Sequence, residues 1–285
     1  MTIRAKKSLG QNFLTDKRVV DRIVQSIAPE PRDIVIEVGP GTGALTRPLA
    51  RQAGLLVAIE ADSRLVEKLR PSALPNVRIV HADAMEVDWG SLIDSAIVEW
   101  GRFPIAGALS PRVRAAANLP YYISTPIIQL LLGHSSKLYD MTLMLQDEVV
   151  DRIAAAPTGK EYGYLSVLVQ YYCEIKKLFK VPPSAFTPAP KVWSAVVRLS
   201  TRERPIVEVA DEAAFFGLVR ACFAQRRKTL LNNLKAAQAT LGFGHDVDSI
   251  ESALSRAGID PRRRAETLTI GDFALLYDAL FARAG

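Results

Sequence analysis

The sequence predicts an α/β chain in which a parallel, doubly wound sheet is followed by a small all-helical domain. Three observations carry that expectation. Short β-branched runs alternate with helical patterns through the first part of the chain, the arrangement that builds a parallel sheet from strand–helix units. The first of these runs empties into a glycine-rich turn, Gly39-Pro40-Gly41-Thr42-Gly43. Beyond Asp211 the apolar spacing is helical.

Taken in order, residues 33–38 (Asp-Ile-Val-Ile-Glu-Val) make the first strand and Ala44 to Gln52 the helix behind the turn. Leu55 to Ile59 is a second strand ending in Glu60, and a helix reads from Ser63 to Leu69. Val77 to Val80 ends near His81 and Asp83, Val113 to Ala117 ends in Asn118, and Met141 to Leu145 ends in Gln146. Open parallel sheets bind ligands outside the carboxyl ends of their strands, where all these polar residues fall. Tyr164 to Cys173 reads as a helix, and β-rich segments 174–181 and 193–199 flank the loop Pro182 to Pro190. Residues 200–209 read as a linker, which divides the chain into domains 1–204 and 205–285. Helical periodicity then covers 211–224, 226–239, 247–257 and 271–282, with Phe215, Phe216, Val219 and Phe223 as a core stripe.

At 285 residues, 49% hydrophobic and 23% charged, the chain has an ordinary globular composition, which excludes disordered, collagen-like and disulfide-scaffold classes. No apolar run reaches the ~18 residues of a membrane span. The N-terminus lacks the apolar stretch of a signal peptide, so a cytoplasmic protein without membrane attachment is expected. Cys173 and Cys222 have no metal-ligand spacing and read as reduced core thiols. His81, His134 and His245 likewise have no ligand spacing and read as core-edge or helix-end residues. No metal is expected.

Net charge is +6, which favours a polyanionic partner, although a basic housekeeping enzyme carries the same charge. The bases cluster. Lys176, Lys177, Lys180, Lys191 and Arg198 occur without an intervening acid, as do Arg220, Arg226, Arg227, Lys228 and Lys235. Arg262, Arg263 and Arg264 form a third block, and residues 1–18 carry a net +4. Solvated helix faces account for any one cluster. Several clusters separated by acid-rich stretches favour a surface that tracks phosphates.

Glycines at 39, 41 and 43 let a backbone turn tightly and let a ligand approach main chain that a Cβ would block. The spacing is G-x-G-x-G and not the dinucleotide fingerprint, and a plain strand-to-helix turn accounts for it as well. Glu60, at the end of the next strand, is placed to accept from ribose hydroxyls. Asp83, after a third strand, can accept from an exocyclic adenine amine. Each acid alone reads as a solvated strand end; together with the turn they fit an adenosyl ligand. No base lies within the turn to receive a pyrophosphate. S-adenosylmethionine, an adenosine without phosphate, therefore fits better than a nicotinamide dinucleotide.

Asn118-Leu119-Pro120-Tyr121 follows the fourth strand. The lone pair of an exocyclic purine amine is delocalised into the ring, so that nitrogen is a poor nucleophile. The Asn118 side-chain carbonyl and the Leu119 main-chain carbonyl can hold both amine hydrogens and favour a pyramidal nitrogen. Pro120 biases Leu119 to an extended backbone, which aims that carbonyl. Tyr121 offers a face to a base extruded from its stack. Such catalysis is positioning plus electrostatics, without a covalent nucleophile. An Asn-initiated turn with a core tyrosine is the alternative. Phe186 offers a second stacking face or a buried loop anchor, and Lys191 beside it can meet a phosphate.

These residues resemble the ribosomal RNA adenine dimethyltransferase family, in particular its small-subunit branch associated with kasugamycin sensitivity. The resemblance covers nearly the whole chain. It rests on Leu9 to Leu14, Glu37 to Gly43, Asn118 to Tyr121, Phe186 to Ser194, Arg226 to Leu234 and Arg264 to Leu268. It implies a Rossmann-like, seven-stranded class I methyltransferase sheet with the small helical domain behind it. It also implies that Asn12 and Leu14 cover the methionine end of the donor, Gly39 and Gly41 line it, Glu60 holds its ribose and Asp83 its adenine. Asn118, Leu119 and Tyr121 then serve the target amine, with Asn118 also beside the donor and Phe186 stacking. The implied activity is S-adenosylmethionine-dependent N6-dimethylation of two adjacent adenines near the 3′ end of small-subunit (16S) rRNA, during late subunit assembly. The partner is the small ribosomal subunit, bound by a monomer through Lys191, Arg226, Arg227, Lys228, Arg262, Arg263 and Arg264.

Tyr122 departs from many relatives, which carry Asn there, and is expected to point away from the catalytic turn. The stretch 85–112 is longer than usual. Three other functions compete. A large-subunit rRNA methyltransferase conferring macrolide resistance shares the catalytic domain, but the long basic helical domain favours the small-subunit target. A non-catalytic RNA-binding factor has no need of paired amine acceptors. A cytosine-C5 methyltransferase needs a cysteine nucleophile, and both cysteines lie in apolar helical contexts.

Overall fold

A computed structural model describes residues 5–6, 10–70, 73–102, 110–241 and 247–281. Leu9 of the N-terminal motif, residues 103–109 of the long stretch and His245 lie outside the described residues.

The first half of the chain runs β1 (Phe13–Leu14), α1 (Lys17–Ile27), β2 (Asp33–Val38), α2 (Thr46–Ala50), β3 (Leu55–Glu60), α3 (Ser63–Leu69), β4 (Val77–His81), α4 (Trp89–Trp100) and β5 (Arg112–Asn118). There follow α5 (Ser124–Leu132), β6 (Asp140–Gln146), α6 (Asp147–Ile153), α7 (Tyr164–Tyr172), β7 (Cys173–Val181), β8 (Phe186–Thr187) and β9 (Ser194–Thr201). The helices α8 (Glu212–Cys222), α9 (Leu230–Leu241), α10 (Val247–Arg256) and α11 (Ile270–Phe281) complete it.

The sheet has seven strands in the order β4-β3-β2-β5-β6-β9-β7. β2 pairs in parallel with β3 on one side and β5 on the other, and β9 returns antiparallel to β6. Every residue of β2 and β3 is buried, as a parallel sheet covered on both faces requires. The helices follow from local chemistry. Asp16 caps α1 by accepting from the Arg18 and Val19 amides, and Val20, Ile23, Val24 and Ile27 form its buried stripe. Asp62 and Asp88 cap α3 and α4 in the same way.

Two helices start later than their periodicity suggests. α2 begins at Thr46 with Leu45 as its N-cap, after a turn in which Gly41 and Gly43 hold φ of 58° and 85°, which a right-handed helix does not adopt. α9 begins at Leu230 because the turn before it is used otherwise. Its Asn233 donates to the Cys222 and Gln225 carbonyls at 2.7 and 3.2 Å.

The chain divides into two compact units that are not contiguous in sequence: 1–150 with 174–201, and 151–173 with 202–285. Residues 151–173, read from sequence as part of the first domain, belong to the second. Tyr162, Val167 and Tyr171 share one buried cluster with Phe215, Val219 and Phe273, while Phe216 and Phe223 pack against it. The local pattern marked α7 as a helix but not which core it would join.

In the first unit, Arg114 meets Asp33 at 3.0 Å and Asp140 at 2.9 Å, and Arg112 meets Asp33 at 2.7 Å. These residues stand at or near the amino ends of β2, β5 and β6, so a paired charge network closes that edge of the sheet. The carboxyl edge is left for a ligand.

Candidate active site

The strand register assembles the site. Val38 pairs with Ile59 and with Ala117, so the glycine turn, Glu60 and Asn118 emerge side by side. From here β2 continues to β3 on one side while its neighbour β5 continues to β6 on the other, which opens a crevice between the loops. A cavity of about 200 Å³ fills it, lined by Asn12, Leu14, Gly39, Gly41, Glu60, Asp83, Asn118, Leu119, Tyr121 and Phe186, among others. It therefore brings together every residue proposed from the sequence for donor and amine.

The turn is pinned by backbone bonds from Gly39 N–H to Ile59 O (2.9 Å) and from Gly43 N–H to Pro40 O (2.9 Å). A Cβ on Gly39 would meet no atom within 4 Å. The space beside that main chain is thus open to a ligand, and φ of 67° excludes most side chains. Glu60 is buried, with Oε2 accepting the Gly41 N–H at 3.1 Å and Oε1 the Asp62 N–H at 2.9 Å. Burial pushes its carboxyl above the usual range, against the pull of these bonds. Asp83 is exposed at the mouth and accepts the Met85 N–H at 2.9 Å.

Glu37 was not among the residues assigned a role from the sequence. It is buried in the cavity wall and its Oε2 has no hydrogen-bond partner among the described residues. Burial pushes its carboxyl up to about 7; the nearby Thr46 hydroxyl lowers it and the Glu60 charge raises it. A signal existed, since an acid inside an otherwise apolar buried strand needs a partner.

The Asn118 amide nitrogen donates to the Asn12 carbonyl at 3.2 Å, which ties the notch to the N-terminal segment and leaves the amide oxygen for another donor. Leu119 is buried and its N–H is held by Met144 O at 3.2 Å. Pro120 is extended, with ψ of 135°. The Tyr121 hydroxyl lies 2.9 Å from Ser194 Oγ, and burial raises its pKa. Phe186 is 4% exposed and belongs to the buried cluster with Leu14 and Ala185. It is a loop anchor that also walls the cavity.

β1 pairs with β8, Leu14 opposite Phe186, and this brings the N-terminal segment to the mouth. Gln11 Nε2 and Lys6 Nζ reach Asp62 at 3.2 and 3.4 Å. The Arg64 guanidinium, with these groups, holds the Asp62 carboxyl well below the usual range. Tyr122 is among the residues that line the cavity, and its ring packs on Gly10, where a Cβ would sit 3.0 Å from Tyr122 Cδ1.

The basic residues sort into two groups. Arg226 is bonded to Glu266 at 2.8 Å and to the Lys160 carbonyl. Arg262 pairs with Asp260 at 3.1 Å, and Arg263 with the Thr267 carbonyl at 2.6 Å. Arg227, Lys228 and Arg264 are exposed and make no side-chain bond among the described residues, and Lys191 is likewise exposed. The Leu230 N–H bonds the Arg263 carbonyl at 2.8 Å, which joins two clusters far apart in sequence.

Cys173 and Cys222 are buried free thiols, each pushed up to about 12 by burial. Among the described residues no group of His, Cys, Asp or Glu could hold a metal, and no helix is long and apolar enough to cross a membrane.

The ribosomal RNA adenine dimethylase family model matches residues 2–280. The ribosomal RNA small subunit methyltransferase A of Shouchella clausii (strain KSM-K16) is 46% identical over 280 residues, 97% of this chain and 90% of that protein. Among solved structures, a dimethyladenosine transferase from Plasmodium falciparum superposes with a TM-score of 0.74 at 26% identity, covering 93% of this chain and 95% of that one. The 23S rRNA methyltransferase ErmE gives 0.65 at 26% identity, over 94% and 99%.

Proposed function

The chain belongs to the ribosomal RNA adenine dimethylase family, and on that premise we propose how its cavity works. The protein is an S-adenosylmethionine-dependent rRNA adenine dimethyltransferase acting on the small subunit. Its targets are the N6 amines of two adjacent adenines near the 3′ end of 16S rRNA, modified late in assembly by a cytoplasmic monomer.

One observation carries the reading. The glycine turn with its acids and the Asn118–Tyr121 notch open into the same cavity. The residues present fit the donor: Gly39 leaves main chain uncovered, and the orphaned Glu37 oxygen offers a buried acceptor to a cationic ligand. When bound, S-adenosylmethionine supplies an electrophilic methyl carbon on a sulfonium.

The chain's own residues do the rest. Glu60 keeps acceptor capacity for the ribose hydroxyls and Asp83 an oxygen for the adenine amine; Asn12 and Leu14 cover the opposite end. Asn118 Oδ1 and the Leu119 carbonyl hold the two hydrogens of the target amine, which localises its lone pair. Tyr121 and Phe186 wall the base. Transfer then needs alignment and stabilisation of developing positive charge on that nitrogen, and no covalent nucleophile. The exposed Lys191, Arg227, Lys228, Arg262 and Arg264 meet phosphates, while Arg226 and Arg263 hold their own loops in place.

A large-subunit target is less well supported, since 46% identity to a small-subunit enzyme exceeds 26% to the 23S enzyme. Incubating the protein with labelled S-adenosylmethionine and unmethylated small subunits, then mapping modified nucleosides, tests the proposal. Label in dimethyladenosine near the 16S 3′ end is expected; label elsewhere overturns it.

A further inference from the structure

Among the described residues three aromatic side chains are exposed: Tyr122 (59%), Tyr139 (51%) and Trp193 (52%). Tyr139 stands just before β6, at the amino edge of the sheet, and the Arg112 and Arg114 guanidiniums lie 4.9 and 5.0 Å from its ring centroid. Tyr122 and Trp193 stand at the carboxyl edge and have no such cover among the described residues. Both are coupled to Tyr121. Tyr122 follows it directly, and Trp193 precedes Ser194, whose Oγ meets the Tyr121 hydroxyl at 2.9 Å.

Both positions are also rigidly mounted. The Trp193 carbonyl accepts the Asp147 N–H at 3.0 Å, and Ser194 pairs with Gln146 in the sheet. The Tyr122 ring rests on the main chain of Gly10. Cations accompany the indole: Lys191 is exposed two residues upstream, and Asp147 holds Lys177 at 2.6 Å and Lys180 at 2.7 Å. Uncovered aromatic faces beside cations suit unpaired nucleotides, whose bases offer a π-face that a duplex conceals.

We propose that Trp193 and Tyr122 are stacking platforms for the nucleotides flanking the target adenine, so that the enzyme selects an unpaired, splayed RNA segment over a helix. The proposal rests on the reading of the cavity given above and adds the residues that choose the substrate's conformation. Neither ring touches the reacting atoms; both position the strand around the notch.

The chain carries its own probe. Trp89 and Trp100 are buried, with their indole N–H groups bonded to Ala84 O and Pro31 O. Fluorescence accessible to acrylamide therefore comes from Trp193. Titrating the full-length protein with a single-stranded RNA hexamer containing two adjacent adenines should quench that component, and the same hexamer annealed to its complement should not. With unmethylated small subunits, Trp193→Ala should raise KM roughly 5- to 140-fold, the loss of one stacked base, with the defect on KM and not on kcat. Tyr122→Ala should raise KM in the same way, and Trp193→Phe and Tyr122→Phe should recover most of it.

Equal quenching by duplex and single strand overturns the proposal, as does an unchanged KM for both alanine variants or equal defects in alanine and phenylalanine variants. If wild-type protein transfers methyl groups to small subunits while these readouts fail, the platforms are refuted and the cavity reading stands. If wild-type protein transfers none, the reading itself falls and the inference with it.

Discussion

Replacing Glu60 by glutamine separates two roles of one acid. In the free protein its oxygens accept the Gly41 and Asp62 N–H groups at 3.1 and 2.9 Å. A carboxylate has about four lone-pair sites, so acceptor capacity remains for ribose hydroxyls. Glutamine in the same pose turns an NH₂ toward one of the two backbone donors. That donor is left unpaired in a site 6% exposed, at a cost of about 1–3 kcal/mol of stability. Melting should fall by about 2–4 °C per kcal/mol for a chain of this size. The ribose also loses charge-assisted bonds worth about 2–4 kcal/mol together. At about 1.4 kcal/mol per decade, the donor Kd should rise roughly 30- to 700-fold. Calorimetric titration of S-adenosylmethionine into both proteins at one fixed pH reads the second effect, and a thermal melt reads the first. A variant that melts lower yet binds the donor within about threefold of wild type would mean that Glu60 holds the bend and nothing else.

Three further outcomes follow from the geometry. Asn118→Ala should lose on the order of 10²–10³ in turnover, as when one preorganised polar group is removed, with RNA affinity by filter binding nearly intact; wild-type turnover would refute the positioning mechanism. Glu37, raised from 4.5 to about 7 by burial, retains in the folded state a proton that the unfolded chain loses. Stability of the ligand-free protein should therefore fall as pH rises through that window. A cationic donor favours the ionised carboxylate, so its binding should release a proton and tighten as pH rises toward 7 and beyond; Glu37→Gln should flatten both trends, and a wild-type Kd that ignores pH would exclude Glu37 from the donor site. Arg227→Ala, Lys228→Ala and Arg264→Ala should each lower the salt slope of RNA binding by about 0.7–0.9. Arg226→Ala, breaking the Glu266 pair, should lower the melting temperature and leave the slope unchanged; equal slopes for all four would undo that division.

The strands, the turn and most of the site were legible in the residues because each depends on local chemistry. A β-branched run must be buried, glycine alone takes φ of 67° and 58° without strain, and strand-end acids and Asn118 share the carboxyl edge once the sheet is parallel. Other features depend on contacts between segments that no local pattern encodes. Helix α7 joins the second unit because Tyr162 and Tyr171 find Phe215 and its neighbours there. The Tyr122 ring packs where it does because Gly10, 112 residues earlier in the numbering, has no Cβ to occupy that space. Arg226, Arg262 and Arg263 count as bases in the sequence, yet Glu266, Asp260 and the Thr267 carbonyl already engage them. Burial, likewise, moves Glu37 far from its ordinary pKa. Composition and spacing carry which groups exist and which face of an element they share; desolvation and pairing arise only when distant segments close around them.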